Sequence, residues 1–114
     1  MAMRTIDADA TERAAKLFHS FSDPVRLAIL LELLGGERRV TDLVSLTGRS
    51  QSTVSAHLAC LRGCGLVTVR PQGRQSFHAL SSVDIVDFLL AAQRLLAATG
   101  EQVLLCPERL GDPS

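Results

Sequence analysis

Residues 40 to 80 read VTDLVSLTGRSQSTVSAHLACLRGCGLVTVRPQGRQSFHAL, and this stretch decides the fold. Val40, Leu43 and Val44 recur at helical spacing and Gly48 ends the run, after which Ser50 offers a side-chain cap to a helix from Gln51 to about Cys64. Two short helices joined by a glycine turn make a helix-turn-helix over residues 40–64. Gly65 stops the second of them. LVTVR, Pro71-Gln72-Gly73 and RQSFHAL then read as strand, turn and strand, a hairpin over residues 66–80. A hairpin directly after a helix-turn-helix is a wing.

Working outward, Asp9 and Glu12 resemble a capping box, and Ala14, Leu17, Phe18 and Phe21 follow at helical spacing. Ser22-Asp23-Pro24 supplies a cap with proline at the first helical position; Leu27, Leu30, Leu31 and Leu34 form its apolar stripe, and Gly35-Gly36 ends it. Beyond the hairpin, Ile85, Phe88, Leu89, Ala92, Leu95 and Leu96 mark a long amphipathic helix over residues 82–100, apolar enough to be expected to dimerise. The predicted fold class is mainly α with a small β-hairpin: a winged helix-turn-helix in the order four helices, two strands, one helix. At 114 residues the chain is expected to form a single domain, 1–114, with residues 1–8 and 107–114 loose.

The formal net charge is zero, but the charges are unevenly spread. Between residues 38 and 78 stand Arg38, Arg39, Arg49, Arg62, Arg70 and Arg74 against Asp42 alone. Local positive charge is what a phosphate-binding surface needs, and an acidic remainder orients it. No apolar run reaches the roughly 18 to 20 residues of a membrane span. The N-terminal stretch MAMRTIDADATERAAK has no apolar signal region, so the cytoplasm is the expected compartment. Three cysteines there should be thiols, an odd number that a purely internal disulfide framework does not explain.

On the helix from Gln51, an advance of about 100° per residue places Val54, Leu58 and Leu61 on one inward stripe. Ser52, Ser55, Ala56 and Ala59 fall opposite, with Gln51 in the first turn: small or hydrogen-bonding residues that let a helix approach base edges in a major groove. Arg49 and Arg62 flank this face as candidate phosphate contacts, and Arg74 at the wing tip is placed to reach a minor groove. The candidate DNA-binding set is therefore Arg49, Gln51, Ser52, Ser55, Ala56, Arg62 and Arg74. The expected partner is double-stranded operator DNA, with no membrane and no small organic substrate.

Cys60 and Cys64 stand one helical turn apart, about 5 to 6 Å between Cβ atoms, so two thiolates could share one ion. Cys106 follows beyond the last long helix. Three thiolates favour soft ions. Spacing alone leaves a second reading open, in which the cysteines are small buried hydrophobes. His57, one turn before Cys60, reads better as a packed or hydrogen-bonded side chain than as a ligand; His19 and His78 have no partner at ligand spacing.

The segments SDPVRLAIL, QSTVSAHLACLR, and GLV followed by GRQSFHAL together resemble the ArsR/SmtB family of metal-responsive repressors, over roughly residues 12 to 100. The resemblance implies a homodimeric winged helix with the first and last helices at the interface, where Leu17, Phe18, Phe88, Leu89, Leu95 and Leu96 are the candidates. LACLRGCGLV is similar to the CmtR-type cadmium- and lead-sensing subgroup, whose site uses two recognition-helix cysteines and one from the C-terminal tail. Cys60, Cys64 and Cys106 match in kind and order. The inducer so implied is Cd2+ or Pb2+, with Zn2+ as a further candidate and no organic cofactor, and the tail cysteine is implied to come from the opposite protomer. Residues 39–46 lack the paired cysteines of the family's arsenic-type site, and the last helix carries Asp84 and Asp87 but no histidine for its zinc or nickel site. Three rivals stand beside the metal-released repressor: a thiol redox switch on the same cysteines, a helix-turn-helix used only for protein contacts, and a small cysteine-dependent enzyme in which His57 activates Cys60.

Overall fold

The computed structural model describes residues 6–100 and Leu105. The elements are α1 (Ala8–Ser22), α2 (Pro24–Leu33), α3 (Val40–Thr47), α4 (Gln51–Gly63), β1 (Val67–Gln72), β2 (Gln75–Leu80) and α5 (Val83–Ala98). This is the expected winged helix-turn-helix order.

Each helix start has a local cause. Asp23 accepts from the amides of Val25 and Arg26 at 3.0 and 2.9 Å, with Pro24 at the first helical position. Ser50 accepts from Thr53 N at 3.2 Å and Ser82 from Asp84 N at 3.0 Å. Gly48 closes α3 at φ +73°, a left-handed conformation that only glycine adopts without strain. The first helix departs from expectation. Its cap is Asp7, which accepts from Asp9 N at 3.0 Å, so helix begins at Ala8, inside the stretch expected to be loose. Asp9 instead pairs with Arg13 one turn on, at 2.7 Å.

The core is one cluster: Ile29, Leu30, Leu33 and Leu34 of α2 and its end, Leu43 of α3, Val54, Leu58 and Leu61 of α4, Leu66 and Val67 at the wing, and Ile85 and Leu89 of α5. The inward stripe of α4 is as the helical angle predicts, each of its three residues at most 1% exposed. Its other faces are thereby left outward.

The wing pairs antiparallel from Val67–Leu80 to Gln72–Gln75. Pro71 and Gln72, expected in the turn, belong to β1, and the turn is the pair Gly73-Arg74, with Gly73 at φ +63°. Glycine with positive φ at the first central position suits a two-residue hairpin. Proline is tolerated because, among the described residues, no further strand pairs with the outer edge of β1. Arg38 and His78 exchange backbone hydrogen bonds at 2.9 and 2.7 Å, fastening β2 to the segment between α2 and α3. The wing is thus anchored at its base and projects at its tip.

Candidate nucleic-acid interface and thiol pair

With Val54, Leu58 and Leu61 buried, Gln51, Ser52, Ser55, Ala56 and Ala59 are all exposed on α4. No bulky apolar side chain stands on that face, so it can approach another surface closely. Ser52 Oγ lies 3.2 Å from the capping Ser50 Oγ, which keeps the first turn ordered.

The six arginines of the positive stretch divide into held and unheld. Arg39 is paired with Asp42, its Nε and Nη2 donating at 3.2 and 2.9 Å. Arg70 donates twice to Glu37, at 2.9 and 2.8 Å, and lies 5.0 Å from the Phe77 ring centre. Arg38 donates to the Glu32 carbonyl at 3.4 Å. Arg62 meets His78 Nε2 at 3.4 Å, so the wing holds a side chain read from sequence only as a phosphate contact. Among the described residues, the guanidiniums of Arg49 and Arg74 have no side-chain partner, and both residues are exposed. We expect Arg49→Ala and Arg74→Ala each to lower the salt slope of DNA binding by about one, the loss of one phosphate contact. Arg70→Ala should leave that slope unchanged. Binding isotherms over a salt series check both statements.

His78 is 3% exposed. A guanidinium only donates, so Nε2 is the unprotonated nitrogen and the ring proton sits on Nδ1, which is buried without a partner. Burial, then the Arg62 charge, hold its pKa below the ordinary 6.5, against the opposing Arg38 backbone bond. The unfolded chain therefore takes up a proton as pH falls through 6.5 while the folded chain does not, so stability drops in that window and is regained above it. Thermal unfolding should show Tm falling as pH is lowered from about 7.5 to 5.5. His78→Gln should flatten that fall. Asp23, Glu37 and Asp42 are held below their ordinary values by the Arg26 amide, the Arg70 side chain and the Arg39 side chain respectively, and act only at more acid pH.

Cys60 and Cys64 are both exposed free thiols. The Cys64 amide donates to the Cys60 carbonyl at 3.0 Å, so helical geometry continues through both and keeps them one turn apart. Cys64 lines a cleft of about 330 Å³ with Arg13, Lys16, Leu17, Ser20 and Gly63, and its Sγ accepts from Ser20 Oγ at 3.2 Å. Nothing in the sequence pattern singled out Ser20, which lies 44 residues away. His57 faces Asp23 instead, Nε2 to Oδ2 at 3.9 Å, in keeping with a packed side chain. Cys106 lies outside the described residues. Its neighbour Leu105 packs against the core, with its amide donating to Gln93 Oε1 at 2.5 Å. Among the described residues no three potential ligands gather. The donors present are two soft sulfurs at chelating spacing, which suits a thiophilic ion and requires a third donor from elsewhere.

The candidate interface residues do not form one set. Leu17, Phe18 and Leu95 are 42, 56 and 66% exposed in the single protomer. Phe88 stacks between Phe18 and Phe21, ring centres 6.0 and 4.6 Å apart, and Leu96 is half-buried. Leu89 is 2% exposed within the protomer's own core; one turn after Ile85, it faces inward rather than toward a partner.

A model of the bacterial regulatory protein, arsR family, matches residues 23–69. The chain is 35% identical over 99 residues to a probable mercury resistance operon repressor of Streptomyces lividans, covering 87% of this chain and 78% of that one. It is 45% identical over 67 residues to the regulator CmtR of Mycobacterium tuberculosis, covering 59% of this chain and spanning 57% of that protein's length. The solved structure of CmtR, described as a cadmium metal-sensor, superposes with a TM-score of 0.59 at 41% identity, covering 66% of this chain and 78% of that chain. A homodimeric winged helix-turn-helix DNA-binding domain from Mycobacterium bovis gives a TM-score of 0.75 at 27% identity, covering 91% and 97%.

Proposed function

The chain belongs to the arsR family of bacterial regulatory proteins, and on that premise we propose that it is a cytoplasmic, homodimeric repressor that leaves its operator when a thiophilic metal ion binds. The observation that carries this reading is the placement of two exposed thiols on the helix whose other face is small, polar and open. Cys60 and Cys64, with Cys106, would hold the ion; cadmium or lead is the proposed inducer and zinc a further candidate. A soft ion supplies a crosslink among sulfurs. The helix so held is the one that offers Gln51, Ser52, Ser55 and Ala56 to base edges, while Arg49 and Arg74 meet phosphates. Val54, Leu58 and Leu61 fix α4 to the core, so a change of its tilt displaces the reading face as a unit.

Linkage makes the opposition reciprocal: if metal weakens DNA binding, DNA weakens metal binding by the same factor, about 1 to 3 kcal/mol for a typical switch. The relatives are transcriptional regulators, so the cysteine-dependent enzyme is set aside. Among the described residues no helix is long and apolar enough to cross a membrane.

The redox switch keeps a specific basis in the same exposed thiol pair. The two are separated by DNA-binding titrations on reduced protein. Release by cadmium that a chelator reverses supports the metal reading. Release by peroxide with metal chelated, and none by cadmium, rejects it in favour of a disulfide.

A further inference from the structure

Ser20 sits in the last turns of α1 at 4% exposure, a polar side chain in a buried position. Its hydroxyl carries one proton and faces two acceptors: the Lys16 carbonyl of its own helix at 3.3 Å and Cys64 Sγ at 3.2 Å. Of the polar contacts to the Cys64 sulfur among the described residues, this hydrogen bond is the one that bridges two helices. The surrounding joint is tied elsewhere too. Arg26 of α2 donates to the Ser20 and His19 carbonyls at 3.1 and 2.9 Å, and its own amide is capped by Asp23, which faces His57 of α4.

We infer that Ser20 is a positioning residue for the thiol site, its hydroxyl holding the Cys64 sulfur against α1. The inference deepens the metal reading and rests on Cys64 being a ligand. Without a metal, sulfur is a weaker acceptor than a carbonyl oxygen. A sulfur serving as a metal ligand carries negative charge and would be the stronger acceptor, since hydrogen bonds to charged acceptors are about twice as strong as neutral ones. The hydroxyl then turns from Lys16 to Cys64. The contact between α4 and α1 tightens when Cys64 serves as a ligand, and α1 is the helix whose Leu17 and Phe18 are exposed.

The test uses Ser20→Ala, which removes one oxygen and leaves the strongest helix former, together with Ser20→Thr, which restores a hydroxyl; circular dichroism checks that both fold. Cadmium affinity, read by competition with a chelator and by thiolate-to-metal absorption, should weaken about tenfold in Ser20→Ala, the usual scale for an outer partner of a ligand. Ser20→Thr should recover it. Unchanged cadmium affinity in Ser20→Ala, beside a Cys64→Ser variant that loses it, overturns the role of Ser20 and spares the metal reading. Unchanged affinity in Cys64→Ser overturns both.

Discussion

Replacing Cys64 with serine is expected to abolish the effect of cadmium on DNA binding while leaving the metal-free affinity for DNA as it was. Serine is close in size, but its oxygen is a hard donor that stays protonated at neutral pH, so the soft-ion site loses a ligand with little change in shape. Cys64 caps the far end of α4 from Gln51 and Ser52, so the reading face is untouched. In the wild-type protein cadmium should weaken binding at least about tenfold, within the range for a coupled pair of sites. In Cys64→Ser and in Cys60→Ser the two isotherms should coincide. Cys106→Ser should weaken metal-driven release while keeping DNA affinity; unchanged release would show that the three-cysteine site is wrong. Fluorescence anisotropy of a labelled operator duplex, with and without cadmium, reads all three variants.

The second large effect is expected at Phe18. More than half of this side chain is exposed in the protomer, next to the exposed Leu17 in the chain, and its ring continues the stack of Phe88 and Phe21 outward. Exposed aromatic surface continuous with the core is what an obligate partner covers. Burying one phenylalanine is worth about 1.5 to 3 kcal/mol, and a twofold interface contains it twice. Phe18→Asp should therefore raise the dimer dissociation constant a hundredfold or more, on the order of 3 to 6 kcal/mol. Sedimentation equilibrium should show monomers at micromolar concentration, with thermal stability of the fold little altered. Operator affinity should fall with the dimer, because each protomer reads one half-site. The same substitution at Leu89 should act differently and unfold the protomer, since that side chain is already in its core.

The elements were legible because their causes are local. Asp23-Pro24, Gly48 and Ser50 act within four residues of themselves, and the stripe of Val54, Leu58 and Leu61 needs only the helical period. Misplaced details were choices between near neighbours: Asp7 over Asp9 as cap, Gly73-Arg74 over Pro71-Gln72-Gly73 as turn. Leu89 was misjudged because an apolar stripe on an amphipathic helix does not say whether the protomer's core or a partner covers it. The electrostatics of the site were less legible, because they depend on contacts between distant residues. Counting charge from Arg38 stops one residue short of Glu37, which holds Arg70 across 33 positions. Arg62 meets His78 across 16 positions and Cys64 meets Ser20 across 44. The candidate base-reading face was legible from period alone, whereas which arginines stand unpaired beside it was visible only once the chain was folded.

The most direct test is one titration of reduced, metal-free protein with cadmium, recording thiolate-to-metal absorption and the anisotropy of bound operator DNA on the same samples. The chain has no Trp and no Tyr, so the near ultraviolet is clear for the sulfur band. A metal-released repressor gives a tight absorbance endpoint at one ion per protomer, with DNA affinity lost over the same additions. Tight DNA binding that cadmium does not change, whatever the absorbance does, would contradict it.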